Sequence, residues 1–175
     1  MADKLVFAGI MQVAYIVPDL QRAMEEYGAL LKVGPWHVSR HFSGTEKLYR
    51  GQPTDIDMTI AMSYSGQMNI ELIQQLDGGP SVYREVADKR GYGFHHWGVV
   101  SRDFDRDVEM YKAKGYEIAF STRIRDARLA YLDTTRDMDG MVELIEVTPG
   151  VEERFTLLWQ STVGWDGKDP IRVRA

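Results

Sequence analysis

The feature that most constrains this chain is an internal repeat in which matching side chains recur at one constant offset. Four pairs of residues are separated by 84 positions, and they are Gln12 and His96, Asp19 and Asp103, Arg22 and Arg106, and Tyr27 and Tyr111. Each copy then closes on an apolar segment with one central carboxylate, Glu71 in the first copy and Glu143 in the second. A duplicated unit of this length predicts two similar modules that share a core.

Hydrophobic periodicity predicts the element order βαβββ for the first copy. Residues 11–17 alternate between two faces and predict a strand. Asp19 is a favourable N-cap for a helix whose apolar residues recur at helical spacing. Three further strands are predicted within residues 36–42, 57–63 and 67–75.

The second copy predicts the same order. A strand over residues 94–100 precedes Asp103, which again caps a helix. Strands are then predicted near residues 116–122, 127–133 and 141–147.

These elements divide the chain into three parts within one compact α+β domain. The first module covers residues 1–78, the second covers 79–148 with a linking helix at 80–90, and a helical tail covers 149–175. The first copy has twelve extra residues, which lie between Trp36 and Met58. They predict a long loop or an extended hairpin, of the kind that often lies over a site.

Composition excludes several classes of function. The net charge is −5 with no basic run, which disfavours a nucleic-acid partner. The absence of cysteine excludes disulfides, thiolate ligands and a cysteine nucleophile. The apolar run over residues 5–17 is interrupted by Gln12 and is too short to cross a bilayer, and no signal-peptide cleavage site follows it. We therefore expect a cytoplasmic protein with no membrane partner.

The two central carboxylates predict a metal site. Glu71 and Glu143 point opposite to their aliphatic neighbours, so the apolar faces can pack on helices while both carboxylates enter a concavity. Buried carboxylates need a partner, and one shared divalent cation would neutralise both. Gln12 adds a neutral oxygen and His96 a nitrogen. This donor set suits Zn²⁺, Ni²⁺, Co²⁺, Mn²⁺, Fe²⁺ or Mg²⁺.

Each residue also has a simpler reading when it is taken alone. A glutamate in mid-strand usually faces solvent, and a single buried histidine is usually a hydrogen-bonded core residue. The coincidence of four donors at equivalent positions of two copies favours metal binding. His95 must face away from His96, toward the helix layer.

Other residues are candidates for contacts with a substrate. Four residues could line a pocket or simply belong to the core: Trp36, Leu129, Tyr131 and Ile145. Three arginines could hold an anionic group or be solvated surface residues: Arg40, Arg50 and Arg128.

Four motifs together give the chain a family resemblance over about residues 11–146. They are Gln-Val-Ala-Tyr-Ile-Val-Pro-Asp-Leu at 12–20, Ile-Glu-Leu at 70–72, His-Trp-Gly-Val-Val-Ser-Arg-Asp at 96–103, and Asp-Gly-Met-Val-Glu-Leu at 139–144. The chain resembles the vicinal oxygen chelate superfamily, especially its glyoxalase I and methylmalonyl-CoA epimerase-like members. The resemblance implies paired βαβββ modules that form an open, incomplete barrel around one metal. It also implies that the ligands are Gln12, Glu71, His96 and Glu143. Ring cleavage is disfavoured, because extradiol dioxygenases have histidine where Glu71 stands.

The expected function is that of a metal-dependent isomerase, epimerase or lyase acting on a small-molecule carbonyl substrate. The metal would stabilise an enolate while Glu143 moves the proton beside the carbonyl, with Glu71 as its counterpart. One alternative is a binding or resistance protein of the bleomycin-resistance type without catalysis, and another is a regulatory module that uses the pocket as a sensor. The tail aromatics Phe155, Trp159 and Trp165 either anchor a homodimer or fold over the pocket.

Overall fold

The repeat appears in a computed structural model as two sets of elements within one sheet. The structure describes residues 4–42 and 44–173. The first set comprises β1 (Ile10–Ile16), α1 (Leu20–Leu31), β2 (Trp36–Ser39), β3 (Thr45–Tyr49), β4 (Gln52–Pro53), β5 (Met58–Ser65) and β6 (Met68–Gln75). The second set comprises α2 (Val82–Arg90), β7 (Gly93–Ser101), α3 (Phe104–Ala113), β8 (Ile118–Ile124), β9 (Ala127–Leu132) and β10 (Met141–Glu146). The chain continues through α4 (Pro149–Gln160) and β11 (Ile171–Val173).

Both predicted helix caps and both first strands are confirmed. The side chain of Asp19 accepts a hydrogen bond from the Arg22 amide, and Asp103 accepts one from the Arg106 amide. Equivalent caps therefore turn the chain from β1 into α1 and from β7 into α3. The first helix ends at Leu31, where Lys32 adopts a left-handed conformation.

The strand order shows how the two sets combine. The sheet runs β11-β2-β5-β6-β1-β7-β10-β9-β8-β3-β4. Outward from the β1–β7 pair, each half presents its first strand, then its last strand, then the remaining two in the same order. β1 and β7 are antiparallel, whereas each pairs in parallel with the last strand of its own half.

The position of the inserted hairpin of β3 and β4 requires the sheet to be strongly curved. β2 and β3 are separated by only residues 40–44, yet eight strand spacings lie between them in the sheet. A flat sheet would place them roughly 38 Å apart at about 4.8 Å per strand. The six residue steps from Ser39 to Thr45 span at most ~21 Å. The sheet therefore curves round until its two ends approach each other, forming the expected open barrel.

The two faces of this sheet have different coverings. On the outer face, α1 packs Leu20 and Met24 onto Trp36 and Leu72, while α3 packs Phe104 and its neighbours onto the second half. On the inner face, α2 covers one end with a cluster of buried side chains that includes Val82 and Tyr83. α4 covers the other end, partly through Leu158 and Trp159. A cavity remains between these two helices.

Candidate functional site

The middle of the inner face brings together the four predicted donors. They lie on four consecutive strands, with Glu71 on β6, Gln12 on β1, His96 on β7 and Glu143 on β10. We call this set the floor of the cavity, which Gln12, Glu71 and Glu143 line directly, whereas His96 is fully buried and is not among the lining residues. All four side chains are buried, with exposures of 5% or less. Because the first and last strands of both halves are neighbours, the duplicated topology itself places these residues side by side.

The contacts within the floor are short. Nε2 of Gln12 donates to Oε2 of Glu71 at 2.7 Å. Nε2 of His96 lies 3.3 Å from a Glu143 oxygen and 3.6 Å from a Glu71 oxygen. His96 is therefore the residue that links the carboxylates of the two halves.

Gly98 makes room for this arrangement. It pairs with Gln12 across the β1–β7 ladder and with Glu143 across the β7–β10 ladder. A Cβ atom at this position would lie 2.7 Å from Cβ of Gln12 and 3.2 Å from Cδ1 of Ile145. Only glycine lets Gln12 pack against β7 without displacing the wall of the cavity.

His95 favours one tautomer of His96 through a two-step hydrogen-bond chain. The expectation that His95 faces away from His96 is wrong, because the β1–β7 pairing is irregular between His96 and Phe94 and the two rings meet. Nε2 of His95 lies 3.2 Å from the Val82 carbonyl oxygen, which can only accept, so this nitrogen carries a proton. Burial, followed by the influence of His96, lowers the pKa of His95 well below its usual value, so the ring is neutral. Its Nδ1 must therefore accept the hydrogen bond that Nδ1 of His96 donates at 2.9 Å. In this tautomer, Nε2 of His96 presents a lone pair toward the two carboxylates.

Within residues 4–42 and 44–173, two buried atoms of the floor find no hydrogen-bond partner. They are Nε2 of His96 and Oε1 of Gln12. Such atoms are rare inside proteins because each loses its hydration without compensation. The lone pair on Nε2 of His96, the amide oxygen of Gln12 and the two carboxylates are all electron-pair donors. A cation placed among them would complete this set.

Electrostatics reinforce this conclusion for the carboxylates. Burial, and then repulsion from Glu143, raises the pKa of Glu71 well above its usual value, and the hydrogen bond from Gln12 opposes the change. Burial and Glu143 similarly raise the pKa of Tyr131, whose ring contacts His96 edge-to-face at 4.8 Å between centroids. Negative charge at the floor is therefore disfavoured without a compensating cation.

Two observations bear on whether the floor residues could hold a metal ion, and they point in opposite directions. Within residues 4–42 and 44–173, no group of three His, Cys, Asp or Glu side chains has an arrangement that could hold a metal ion. The donor chemistry nevertheless fits a divalent cation, because two carboxylates face an imidazole lone pair and an unpartnered amide oxygen. Ligand atoms about 2.1 Å from one ion lie roughly 3.0–3.4 Å apart, and the contact between His96 and Glu143 falls in this range.

A cavity of about 470 Å³ opens above the floor. Its volume is typical of sites for small organic ligands. Three of the four predicted wall residues line it, namely Leu129, Tyr131 and Ile145. Their part in substrate binding stays a prediction.

The expectation that Trp36 lines the cavity is wrong. Its ring packs under α1 with Leu20 and Met24, and its Nε1 donates to the Met24 carbonyl oxygen. The reason is the alternation of β2, which directs Trp36 and Val38 to the outer face and Ser39 to the cavity.

Other walls of the cavity were not predicted from sequence patterns. Four cationic side chains line its mouth, and we call them the rim: Arg40, Lys47, Arg125 and Arg154. Of the three arginines considered from the sequence, only Arg40 is among them. Arg50 instead binds Glu85 and Asp133, and Arg128 binds Asp105 and Glu146.

The tail contributes to the site by folding over it. Val151, Arg154, Phe155 and Leu158 of α4 line the cavity. Asp126 holds the start of this helix, accepting hydrogen bonds from Thr148 at 2.6 Å and from Arg154 at 2.8 Å. The apolar residues of the tail indicated that it packs against another surface. The sequence did not distinguish packing over the pocket from packing in a homodimer.

Comparison with known proteins places this geometry in context. The chain matches the Glyoxalase/Bleomycin resistance protein/Dioxygenase superfamily over residues 11–131. Methylmalonyl-CoA epimerase from Mycobacterium tuberculosis has a similar structure, with a TM-score of 0.57 and 21% identity over 87% of this chain and 96% of its own. The Streptomyces coelicolor epimerase, solved with 2-nitronate-propionyl-CoA, has a TM-score of 0.55 and 18% identity over 82% of this chain and 97% of its own. A hypothetical protein from Bacillus halodurans C-125 has a TM-score of 0.56 and 19% identity over 79% of this chain and 94% of its own.

Two further comparisons are negative. A search of curated proteins found no match to the chain. Among the described residues, none of the helices has both the length and the apolar character needed to cross a bilayer.

Proposed function

Because this chain belongs to the Glyoxalase/Bleomycin resistance protein/Dioxygenase superfamily, we propose that it is a metal-dependent isomerase, epimerase or lyase. It would transfer a proton beside the carbonyl group of a small molecule. One observation carries the proposal. Nε2 of His96 and Oε1 of Gln12 are buried electron-pair donors beside two carboxylates, and within the described residues neither atom has a hydrogen-bond partner. Proteins keep such groups in a core when a cation or a substrate completes them.

The floor residues would hold a divalent metal ion, of the set Zn²⁺, Ni²⁺, Co²⁺, Mn²⁺, Fe²⁺ and Mg²⁺. When bound, such an ion acts as a Lewis acid that stabilises negative charge developing on a carbonyl oxygen. His95 keeps Nε2 of His96 free of a proton, and the Tyr131 ring fixes the plane of His96 from one side.

Glu143 is the better candidate for the base that moves the proton. Glu71 is held by the Gln12 amide at 2.7 Å. Among residues 4–42 and 44–173, Glu143 has only its contact with His96, and it lines the cavity. A less restrained carboxylate can approach the acidic proton and return it to a neighbouring carbon or to the opposite face. Glu71 would serve as its counterpart from the other half.

The apolar walls support this chemistry. Leu129 and Ile145 border the floor and limit the access of water to an enolate. Low local polarity strengthens every charge interaction at the floor. Two structural neighbours are named as methylmalonyl-CoA epimerases, so an acyl-CoA thioester is the first substrate class to test.

The test is solvent deuterium exchange. Metal-loaded protein is incubated in D₂O with methylmalonyl-CoA and with a panel of other small carbonyl compounds, and incorporation beside the carbonyl is followed by mass spectrometry. We expect exchange with wild type and a loss of roughly 10²–10⁴-fold in Glu143→Gln. Glu153→Gln, an exposed carboxylate on α4, is the matched control and should retain the wild-type rate. Equal rates in wild type and Glu143→Gln would eliminate the assignment.

A non-catalytic binding role is the second candidate. The superfamily includes bleomycin resistance proteins by its own description, and no ready-made group of three acidic or histidine ligands is present within the described ranges. A binder of this type would take up a small molecule in the cavity without exchanging its protons. Binding of a panel compound with no deuterium incorporation by any metal-loaded sample would favour this role.

The cellular and assembly expectations also remain proposals. We propose a cytoplasmic protein, which fractionation of the native source would test. A homodimer is a further expectation, and light scattering on the purified chain would measure the mass directly.

A further inference from the structure

The rim combines cations that have partners with cations that do not. Arg154 is tied to Asp126 at 2.8 Å, and Nζ of Lys47 approaches the Ile56 carbonyl oxygen at 3.4 Å. Arg40 and Arg125 are exposed, and within residues 4–42 and 44–173 their side chains have no hydrogen bond or ion pair. Two guanidinium groups at one cavity mouth are therefore available to a ligand.

The position of these two arginines at the cavity sets them apart. Within the described ranges Arg106 and Arg172 also lack a side-chain hydrogen bond or ion pair, but neither lines the cavity. Other arginines contact carboxylates, as Arg50, Arg123 and Arg128 do. The protein as a whole carries a net charge of −5. Unpaired arginines at the entrance of a cavity create a local field that favours anions there.

Pairing between the two halves brings the two arginines to the same mouth. Arg40 begins the connection from β2 to β3, and Arg125 lies in the turn between β8 and β9. β3 pairs with β8, with Thr45 opposite Arg123 and the Thr122 hydroxyl donating to the Thr45 carbonyl oxygen at 3.0 Å. The connection that begins at Arg40 therefore leads into the strand that pairs with β8, and β8 ends one residue before Arg125.

Arg125 lies in a two-residue turn between β8 and β9 and has a left-handed backbone. Its φ is +56°, a left-handed conformation that glycine or asparagine adopts at lower cost. Two-residue turns between paired strands commonly contain those residues. An arginine in this position has no structural partner in the described chain that would explain it.

We propose that the substrate carries an anionic group, a phosphate or a carboxylate, remote from its reacting carbonyl, and that Arg40 and Arg125 bind this group at the mouth. The inference rests on the proposed function, because it assigns the carbonyl end of the same molecule to the floor. The arrangement also solves an electrostatic problem, since an anion approaching Glu71 and Glu143 is repelled by them. Arginine forms paired hydrogen bonds with either anion.

Direct binding tests this assignment without any need for turnover. Adenosine 3′,5′-bisphosphate is the phosphate probe, with adenosine as its uncharged match, and glutarate is the carboxylate probe, with glutaramide as its match. Calorimetric titrations compare wild type, the double variant Arg40→Gln/Arg125→Gln and the control Arg106→Gln. Arg106 is an exposed arginine on α3, and its substitution removes one positive charge away from the cavity. Thermal melts check that all variants are folded.

We expect wild type to bind one charged probe and neither uncharged match. The double variant should lose affinity for that probe by roughly ten-fold or more, as expected for charge-assisted hydrogen bonds, while Arg106→Gln stays within about two-fold of wild type. The probe that binds distinguishes phosphate from carboxylate. Three results would overturn the proposal: no binding of either charged probe, equal affinity in the double variant, or an equal loss in Arg106→Gln. If binding depends on the arginines but no deuterium exchange occurs, the anion site stands and the proposed catalysis is wrong. If exchange occurs but binding does not depend on the arginines, the proposed catalysis stands and the anion site is wrong.

Discussion

The floor and the rim of the cavity are built in opposite ways. The floor takes one donor from each first strand and one from each last strand, so the two halves contribute equally. The rim has no such symmetry, because Arg40 and Lys47 come from the insertion of the first half and Arg154 comes from the tail. The repeated elements thus supply the floor, while segments without a counterpart in the other half supply most of the rim.

The two regions also place their carboxylates in opposite electrostatic environments. At the floor, burial raises the pKa of Glu71, so its ionised form weakens the fold unless a cation is present. At the entrance, the hydrogen bonds of Thr148 and Arg154 lower the pKa of exposed Asp126 to about 2. Changes at the floor should therefore alter metal binding, and changes at the entrance should alter the position of α4.

Among substitutions that leave the four floor residues intact, the largest effect is expected from His95→Phe. It removes the acceptor for Nδ1 of His96, so Nε2 is no longer kept free of a proton. Loss of such a supporting group typically lowers metal affinity by about 10–100-fold, which competition with a chelator would measure. His95→Gln, which can both accept from His96 and donate to the Val82 carbonyl, should recover part of the affinity. Unchanged affinity in both variants would show that the floor does not depend on this hydrogen-bond chain.

Gly98→Ala should give an intermediate effect on the floor. The added methyl group meets Gln12 at 2.7 Å and Ile145 at 3.2 Å, and overpacking of this kind costs about 1–3 kcal/mol of stability. Urea unfolding measures the loss. Gly78→Ala is the matched control, because no atom lies within 4 Å of a Cβ there and its φ is not left-handed. Equal stabilities of the two variants would contradict the close packing at the centre of the sheet.

Asp126→Asn should give the smallest effect, confined to the entrance. A carboxylate whose pKa is lowered by folding stabilises the protein above its unfolded pKa, and this contribution is lost as the pH falls through the folded pKa. With a folded pKa of about 2 against an ordinary 3.8, α4 should loosen between about pH 4 and pH 2 in wild type.

Hydrogen exchange over residues 149–160 measures this loosening. Asp126→Asn should already exchange faster at pH 5 and lack the additional step below pH 4. Asp88→Asn, an exposed residue of α2, serves as the control. Slow exchange of α4 in Asp126→Asn would remove the role of this residue in holding the helix.

The floor was predictable from the sequence because the repeat carries its own geometry. Once Gln12 and His96 are equivalent, and Glu71 and Glu143 are equivalent, any fold that pairs the two halves about their first strands brings all four together. The caps at Asp19 and Asp103 were predictable for a local reason, since each acts on an amide three residues away.

The rim was not predictable because it depends on contacts between distant segments. β3 pairs with β8 across more than seventy residues of sequence, as the bond between Thr122 and Thr45 shows. Nothing local to Arg125 indicates that its turn borders the cavity. The prediction that Trp36 lines the cavity was wrong for a different reason. Its strand has only four residues, and so short an alternation does not identify the inner face. The short strand β11 was missed because its three residues lie in a polar end whose partner is β2.

The most direct measurement is a calorimetric titration of metal-free protein with Zn²⁺ and with Ni²⁺. The account predicts about one site per chain in wild type, its loss in His96→Ala, and its retention in His41→Ala, which changes a histidine paired with Asp57 away from the floor. Absence of any site in wild type, or an unchanged site in His96→Ala, would contradict the view that the two halves meet to enclose a cation.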